Sequence, residues 1–296
     1  MTVLISAVLP IALVALAGVL VGRAFQLDLQ TLARINIYAL LPALVFTSLS
    51  DSTLAMERAI ALVVAFLLNT ALLYLIAVGL GRSLNFSPDG QKSLIATTLF
   101  ANVGNMGLPF VLFSLGEAGL ERAVVYLVGS SLMIASIFPI VLKGSGVRAG
   151  ILFTLRLPVF WATVVGVMLQ VYGGTIPVAI ARGTTLLSGG AIPIALLTLG
   201  IQLSRTPIVF GRYELFGASL RLIVSPLLAY TIGRALGLEG LDQQVLVLQS
   251  AMPVAVNSLI WVTELGGDAG RVARTIVLST LLSFVTLPAV LWLSVR

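Results

Sequence analysis

The chain has 296 residues, 59% of them hydrophobic and 9% charged, with a mean hydropathy of +1.12, whereas soluble domains average about 45–50% apolar and about 25% charged residues. This composition excludes a soluble globular chain and implies a polytopic, all-α membrane protein. Net charge is +6, but the basic residues stand singly between apolar runs, which points to orientation in a bilayer and away from nucleic acid. Cys and His are both absent, which excludes disulfides, thiol catalysis, Cys/His metal sites and histidine relays.

Apolar runs long enough to cross about 30 Å of hydrocarbon predict ten transmembrane helices, near 3–22, 32–50, 57–80, 92–115, 121–143, 151–172, 178–203, 213–236, 242–265 and 271–295. The first, in "MTVLISAVLPIALVALAGVLVGR", lacks a basic leader region and a small-residue cleavage site, so it reads as a retained span. Span 3 carries Asn69 deep in its run, read as an interhelical hydrogen bond. Span 8 carries Arg221 about 12 Å from its start, at 1.5 Å per residue. Its two readings are a countercharge for an anionic substrate and a snorkelling cation. Glu117, Glu121, Glu264 and Asp268 fall at span ends and read as solvated loop charges.

Ten spans put both termini on one side. The odd-numbered connections and adjoining span ends hold twelve basic residues, Arg34, Lys143, Arg205 and Arg221 among them. The other side holds five, including Arg58, Arg122 and Arg296. The positive-inside rule then places both termini outside, on the far face of the cytoplasmic (inner) membrane.

The spans also repeat. Leu9-Pro10 and Gly18-Val19-Leu20 in span 1 match Leu157-Pro158 and Gly166-Val167-Met168 in span 6, 148 residues on. Leu41-Pro42-Ala43 matches Ile192-Pro193-Ile194 at 151, and "SSLMIASIFPIVL" from Ser130 matches "STLLSFVTLPAVL" from Ser279 at 149. Three ordered pairs with nearly equal offsets predict two five-helix repeats, 1–143 and 151–296. Because five is odd, the second copy is inverted, an arrangement found in secondary transporters with a midplane site.

Under this duplication span 4 pairs with span 9, and both are broken. Span 4 holds "ANVGNMGLPF" with Gly104, Gly107 and Pro109; span 9 holds "QSAMPVAVNS" with Pro253. Proline removes a donor and glycine loosens a helix, and the freed backbone groups are tolerated only where protein or a cavity satisfies them. Paired breaks at repeat-related positions mark a binding site, with half-helix N-termini aimed at an anion. The candidate site is therefore Asn102, Val103, Gly104, Asn105, Met106, Gly107, Pro109, Pro253, Val254, Ala255, Val256 and Asn257, with Arg221 as a possible countercharge.

At "NVGNMGLP", "QSAMPVAV", "STLLSFVTLP" and "LLPALVF" the chain resembles the auxin efflux carrier family, which includes plant PIN-type carriers and bacterial malate or malonate permeases. The short connection between spans 5 and 6 makes it similar to the compact prokaryotic members. The resemblance implies transport of small organic anions by an elevator motion. Spans 1, 2, 6 and 7 would form a static homodimer scaffold, and spans 3–5 and 8–10 a transport domain. It also implies that Asn102, seven residues before Pro109, contacts a substrate carboxylate, and that Val254, Ala255 and Val256 contribute from span 9. A sodium-coupled symporter of the bile acid type shares the same crossed-helix plan and stays open as an alternative. A channel would need a continuous polar stripe and a receptor an output domain, and neither is visible. No catalytic constellation, metal site or cofactor motif occurs, so an enzyme is not expected.

Overall fold

The computed structural model describes residues 2–143, 147–205 and 210–294; Arg296 and the side chains of Lys143 and Glu264 lie outside the described residues. The fold is helical, and no strand occurs among the described residues. In chain order the helices are α1 (Thr2–Ala24), α2 (Leu29–Ile35), α3 (Leu41–Ser50), α4 (Met56–Ser83), α5 (Pro88–Leu99), α6 (Leu108–Lys143), α7 (Val147–Arg156) and α8 (Pro158–Tyr172). Then follow α9 (Val178–Arg205), α10 (Arg212–Ser219), α11 (Ser225–Ala235), α12 (Gly240–Ser250), α13 (Asn257–Leu265) and α14 (Ala269–Ser294). Three π-helical turns, Asn36–Leu40, Val103–Gly107 and Leu220–Val224, lead into α3, α6 and α11. An apolar solvent offers the backbone no partners, so a spanning segment must satisfy itself as helix.

Helix starts follow local chemistry. Asp28 accepts from Gln30 N–H at 3.0 Å to cap α2, and the Thr31 hydroxyl followed by the Gln30 N–H holds its carboxyl below the usual aspartate range. Ser87 accepts from Gly90 N–H at 3.2 Å to cap α5, with Pro88 in the first turn. Two residues predicted as solvated carboxylates serve as acceptors. Glu121 takes the Leu54 N–H at 2.9 Å together with the Ser52 hydroxyl, and Asp268 takes the Arg271 N–H at 3.0 Å at the start of α14. Glu117 is exposed, as predicted.

Among the described residues, six helical segments are long and apolar enough to cross a membrane, or seven if the bent pair α7–α8 counts as one. This count and the ten predicted spans differ at α1, at α6 and at the breaks. The described apolar run of α1, Val8–Ala24, is short, and in α6 a non-helical Gly116 (φ 72°) separates the end of predicted span 4 from span 5. With 12, 11 and 9 residues, α5, α12 and α13 are each too short to cross alone, since about 20 are needed. Predicted span 6 is not straight. It bends by 70° at Leu157, because Pro158 opens α8 and forces extended backbone on the residue before it. The equivalent Pro10 lies inside an unbroken α1.

Two helix pairs approach closely through small residues. An ideal Cβ built on Gly200 of α9 would lie 1.9 Å from the Ala15 carbonyl oxygen, and one on Gly18 of α1 would lie 2.3 Å from that of Leu197. On α8, a Cβ at Gly166 would stand 3.0 Å from the Leu49 Cβ of α3. In a bilayer such close packing takes over part of the role that the hydrophobic effect plays in water. Gly200→Val is expected to separate α1 from α9 and cost about 1–3 kcal/mol. Gly183→Val, at a position with open space around it, should be near neutral. Thermal denaturation of the two purified variants checks the difference.

Candidate functional site

The two predicted breaks meet. Helix α5 ends at Leu99, and the chain runs extended through Phe100 before winding up again at Val103. Helix α12 ends at Ser250, and α13 starts at Asn257. Between them, Ala101 and Val254 form an isolated antiparallel bridge. The Asn102 N–H donates to the Pro253 carbonyl at 2.8 Å, and the Ala255 N–H to the Phe100 carbonyl at 2.8 Å. The Val254 N–H donates to Ser279 Oγ of α14 at 3.1 Å. Pro253 has no N–H to satisfy. The Asn102 carbonyl accepts from Met106 N–H at 3.3 Å and Gly107 N–H at 3.0 Å, which closes the wide turn before α6. Backbone groups released by the breaks are thus paired across them, as burial demands.

Arg221 has a different place from the one predicted. It is 2% exposed, so it does not snorkel, and it is absent from the cavity lining described below. Its Nε donates to the Met252 carbonyl at 3.1 Å, one terminal nitrogen to the Thr98 carbonyl at 2.9 Å, and the other to the Ser250 carbonyl. These carbonyls sit at the C-terminal ends of α5 and α12, where unpaired oxygens and the helix dipoles concentrate negative charge. The residue thus fastens the crossing from behind. Around it, Asn69 Nδ2 lies 3.3 Å from Ser250 Oγ and 3.4 Å from Ser225 Oγ, and the Tyr126 hydroxyl lies 3.1 Å from Ser250 Oγ.

In front of the crossing is a cavity of about 500 Å³. Of the predicted site residues, Asn102, Val103, Gly104 and Asn105 line it from the first break, and Ala255, Val256 and Asn257 from the second. Met106, Gly107, Pro109, Pro253 and Val254 do not line it. They shape the backbone instead: Gly107, for example, leaves room for the buried Gln249 amide, whose oxygen would lie 2.2 Å from a Cβ there. Asn102 is 4% exposed, and its Nδ2 has no hydrogen-bond partner among the described residues.

The facing wall was not predicted. It comes from α2 and the π-turn after it, with Arg34, Asn36 and Tyr38, from Ser130 and Ser131 of α6, and from the α7–α8 bend. Among the described residues, Arg34 is the charged residue of this lining, and no carboxylate contributes to it. The Asn36 Oδ1 is buried and, like Asn102 Nδ2, without a partner among the described residues. Asn36 had a sequence signal, as an amide inside an apolar run. Arg34 had none, because it looked like any other basic residue at a span end. Chemically, the cavity offers amide and hydroxyl donors with one cation, a set that suits a small anion.

Residues 3–152 and 148–291 match the family described as membrane transport protein, and the chain belongs to that family, which is the auxin efflux carrier family. An uncharacterized transporter of Methanothermobacter thermautotrophicus is 32% identical over 274 residues, covering 90% of this chain and 88% of that protein. A Rhizobium meliloti protein named "Putative malonate transporter" is 23% identical over 272 residues, covering 87% of this chain and 84% of its own. Auxin efflux carrier component 1 of Arabidopsis thaliana is 26% identical over 91 residues, covering 30% of this chain and 15% of its own.

The bridge predicts a graded mutational response. Ser279→Ala removes the acceptor of the buried Val254 N–H and is expected to cost about 1–3 kcal/mol. Ser283→Ala should cost less, because among the described residues that hydroxyl serves its own helix at Thr280 and the Met106 sulfur, and no backbone N–H depends on it. Melting temperatures of the two variants, measured side by side, test the order.

Proposed function

We propose that this member of the membrane transport protein family is a secondary carrier of small organic anions, either malonate- or malate-type dicarboxylates or an auxin-like monocarboxylate. The observation that carries the reading is the cavity at the paired breaks, where, among the described residues, the Asn102 amide nitrogen has no partner and the lining carries one charge, the cation Arg34. Asn102 would donate to a carboxylate, assisted by Asn105, Asn257 and the N-terminal turns of the segments that follow the breaks. Arg34, at the exposed rim, would attract the anion and balance its charge. The relatives named for malonate transport and auxin efflux lie in the same direction.

The proposed architecture is ten spans in two inverted five-helix repeats, 1–143 and 151–296, working by alternating access. Contacts between repeat-equivalent helices support it. Gly18 of α1 packs on α9, and its counterpart Gly166 of α8 packs on α3, so the first span of each repeat meets the second span of the other. These four helices would be the static scaffold of a homodimer, and the rest an elevator-type transport domain. With both termini outside the cytoplasmic membrane, the cavity beside Arg34 and the α7–α8 bend faces the cytoplasm.

Binding of malonate, malate and an auxin to the purified protein, followed by calorimetry, tests the reading. One of these acids should bind, and Asn102→Ala should weaken it about tenfold or more, since a hydrogen bond to a charged group contributes about 1.5–3 kcal/mol. Arg34→Gln should weaken a dicarboxylate more than a monocarboxylate. Asn69→Ala should weaken binding less than Asn102→Ala, and the reverse order would overturn the site.

A further inference from the structure

In carriers built on broken helices, unwound carbonyls and half-helix C-terminal ends hold the exchangeable coupling cation. Here the corresponding carbonyls converge at the crossing: Thr98 at the end of α5, and Ser250 and Met252 at and beyond the end of α12. All three already accept hydrogen bonds from one guanidinium, that of Arg221. We infer that Arg221 is a built-in cation that takes the place of an exchangeable sodium ion behind the crossing, so that the folded, binding-competent crossing needs no bound sodium.

Geometry and charge both carry the inference. Arg221 lies in the π-turn Leu220–Val224 and is among the most deeply buried side chains of the described residues. All three guanidinium nitrogens are used, and each goes to a backbone oxygen and not to a carboxylate. The Ser225 hydroxyl donates to the Ser250 carbonyl as well, at 2.8 Å, filling a further acceptor position. A metal cation approaching these oxygens would meet a fixed positive charge at hydrogen-bonding distance from them. A planar, permanently charged fork suits this task better than a lysine, because it binds oxygens in several directions at once. The same residue positions the anion site. Thr98 stands four residues before Asn102, so holding its carbonyl fixes the extended segment that presents the Asn102 amide. The carrier reading supplies the consequence, a transport cycle not driven by sodium, but the test needs no substrate.

Thermal stability of the purified full chain tests the inference, in sodium chloride against choline chloride at equal ionic strength. A cation that binds only the folded state raises the melting temperature. The wild-type protein is expected to melt at the same temperature in both salts. Arg221→Ala should melt lower by on the order of 5 °C, and millimolar methylguanidinium should restore part of the loss where tetramethylammonium does not. Arg221→Lys, which keeps the charge with a less suited donor geometry, should fall between them and provides the comparison if Arg221→Ala does not fold. A saturable sodium-specific rise in the wild-type melting temperature would overturn the inference. So would an Arg221→Ala variant as stable as wild type, or equal losses in Arg221→Lys and Arg221→Ala. Failure of the organic acids to bind would count against the carrier reading and leave this result standing.

Discussion

A backbone group in hydrocarbon has no water to fall back on, and the whole arrangement of this protein depends on that. Two helices are interrupted within apolar surroundings, and each break frees donors and acceptors that cost several kcal/mol if left unpaired. The two breaks satisfy each other. Phe100 and Asn102 pair with Ala255 and Pro253, and Ser279 takes the Val254 N–H left over on the outer edge. Neither break could exist alone at this depth without another partner. Their juxtaposition is a condition of the fold before it is a feature of function.

Once the backbones are paired, charge is sorted between the two sides of the crossing. The C-terminal ends of α5 and α12 gather carbonyl oxygens, and Arg221 neutralises them from behind. The segments that follow the breaks begin on the other side, so their positive ends face the cavity with Asn102, Asn105 and Asn257. One face of the crossing is thereby closed by a side chain of the protein, and the other opens on the cavity. The close approaches of α1 to α9 and of α3 to α8 are suited to a different task. Backbone packed on backbone through Gly18, Gly200 and Gly166 resists deformation, as a frame for the cavity wall at Asn36 and Tyr38 requires.

Much of this was legible in the sequence because the signals are local. Hydropathy alone identified a helical membrane protein. Pro109, Pro253 and the glycines near them located both breaks, since the loss of a donor or of a Cβ acts within one turn. Asn102 stood out as an amide where hydrocarbon was expected, and it lines the cavity with six of the other predicted residues. The limits were equally local. The proline at Leu157–Pro158 opens a new helix and bends the chain by 70°, while Pro10 is carried inside α1 without a break, a difference that the Leu-Pro pair itself does not encode.

The sequence by itself determined the solvent, the helical character, the family and the positions of the two breaks, because composition, proline and glycine act on their own stretch of chain. Only the tertiary structure decided which polar groups line the cavity and which face the protein. Arg34 and Arg221 look alike as basic residues of apolar spans, yet one lines the cavity and the other holds three carbonyls out of reach of water. No periodicity distinguishes them, since the oxygens that Arg221 meets lie 29, 31 and 123 residues away. The role of a charge in an apolar medium is set by the partners brought to it, and those partners come from elsewhere in the chain.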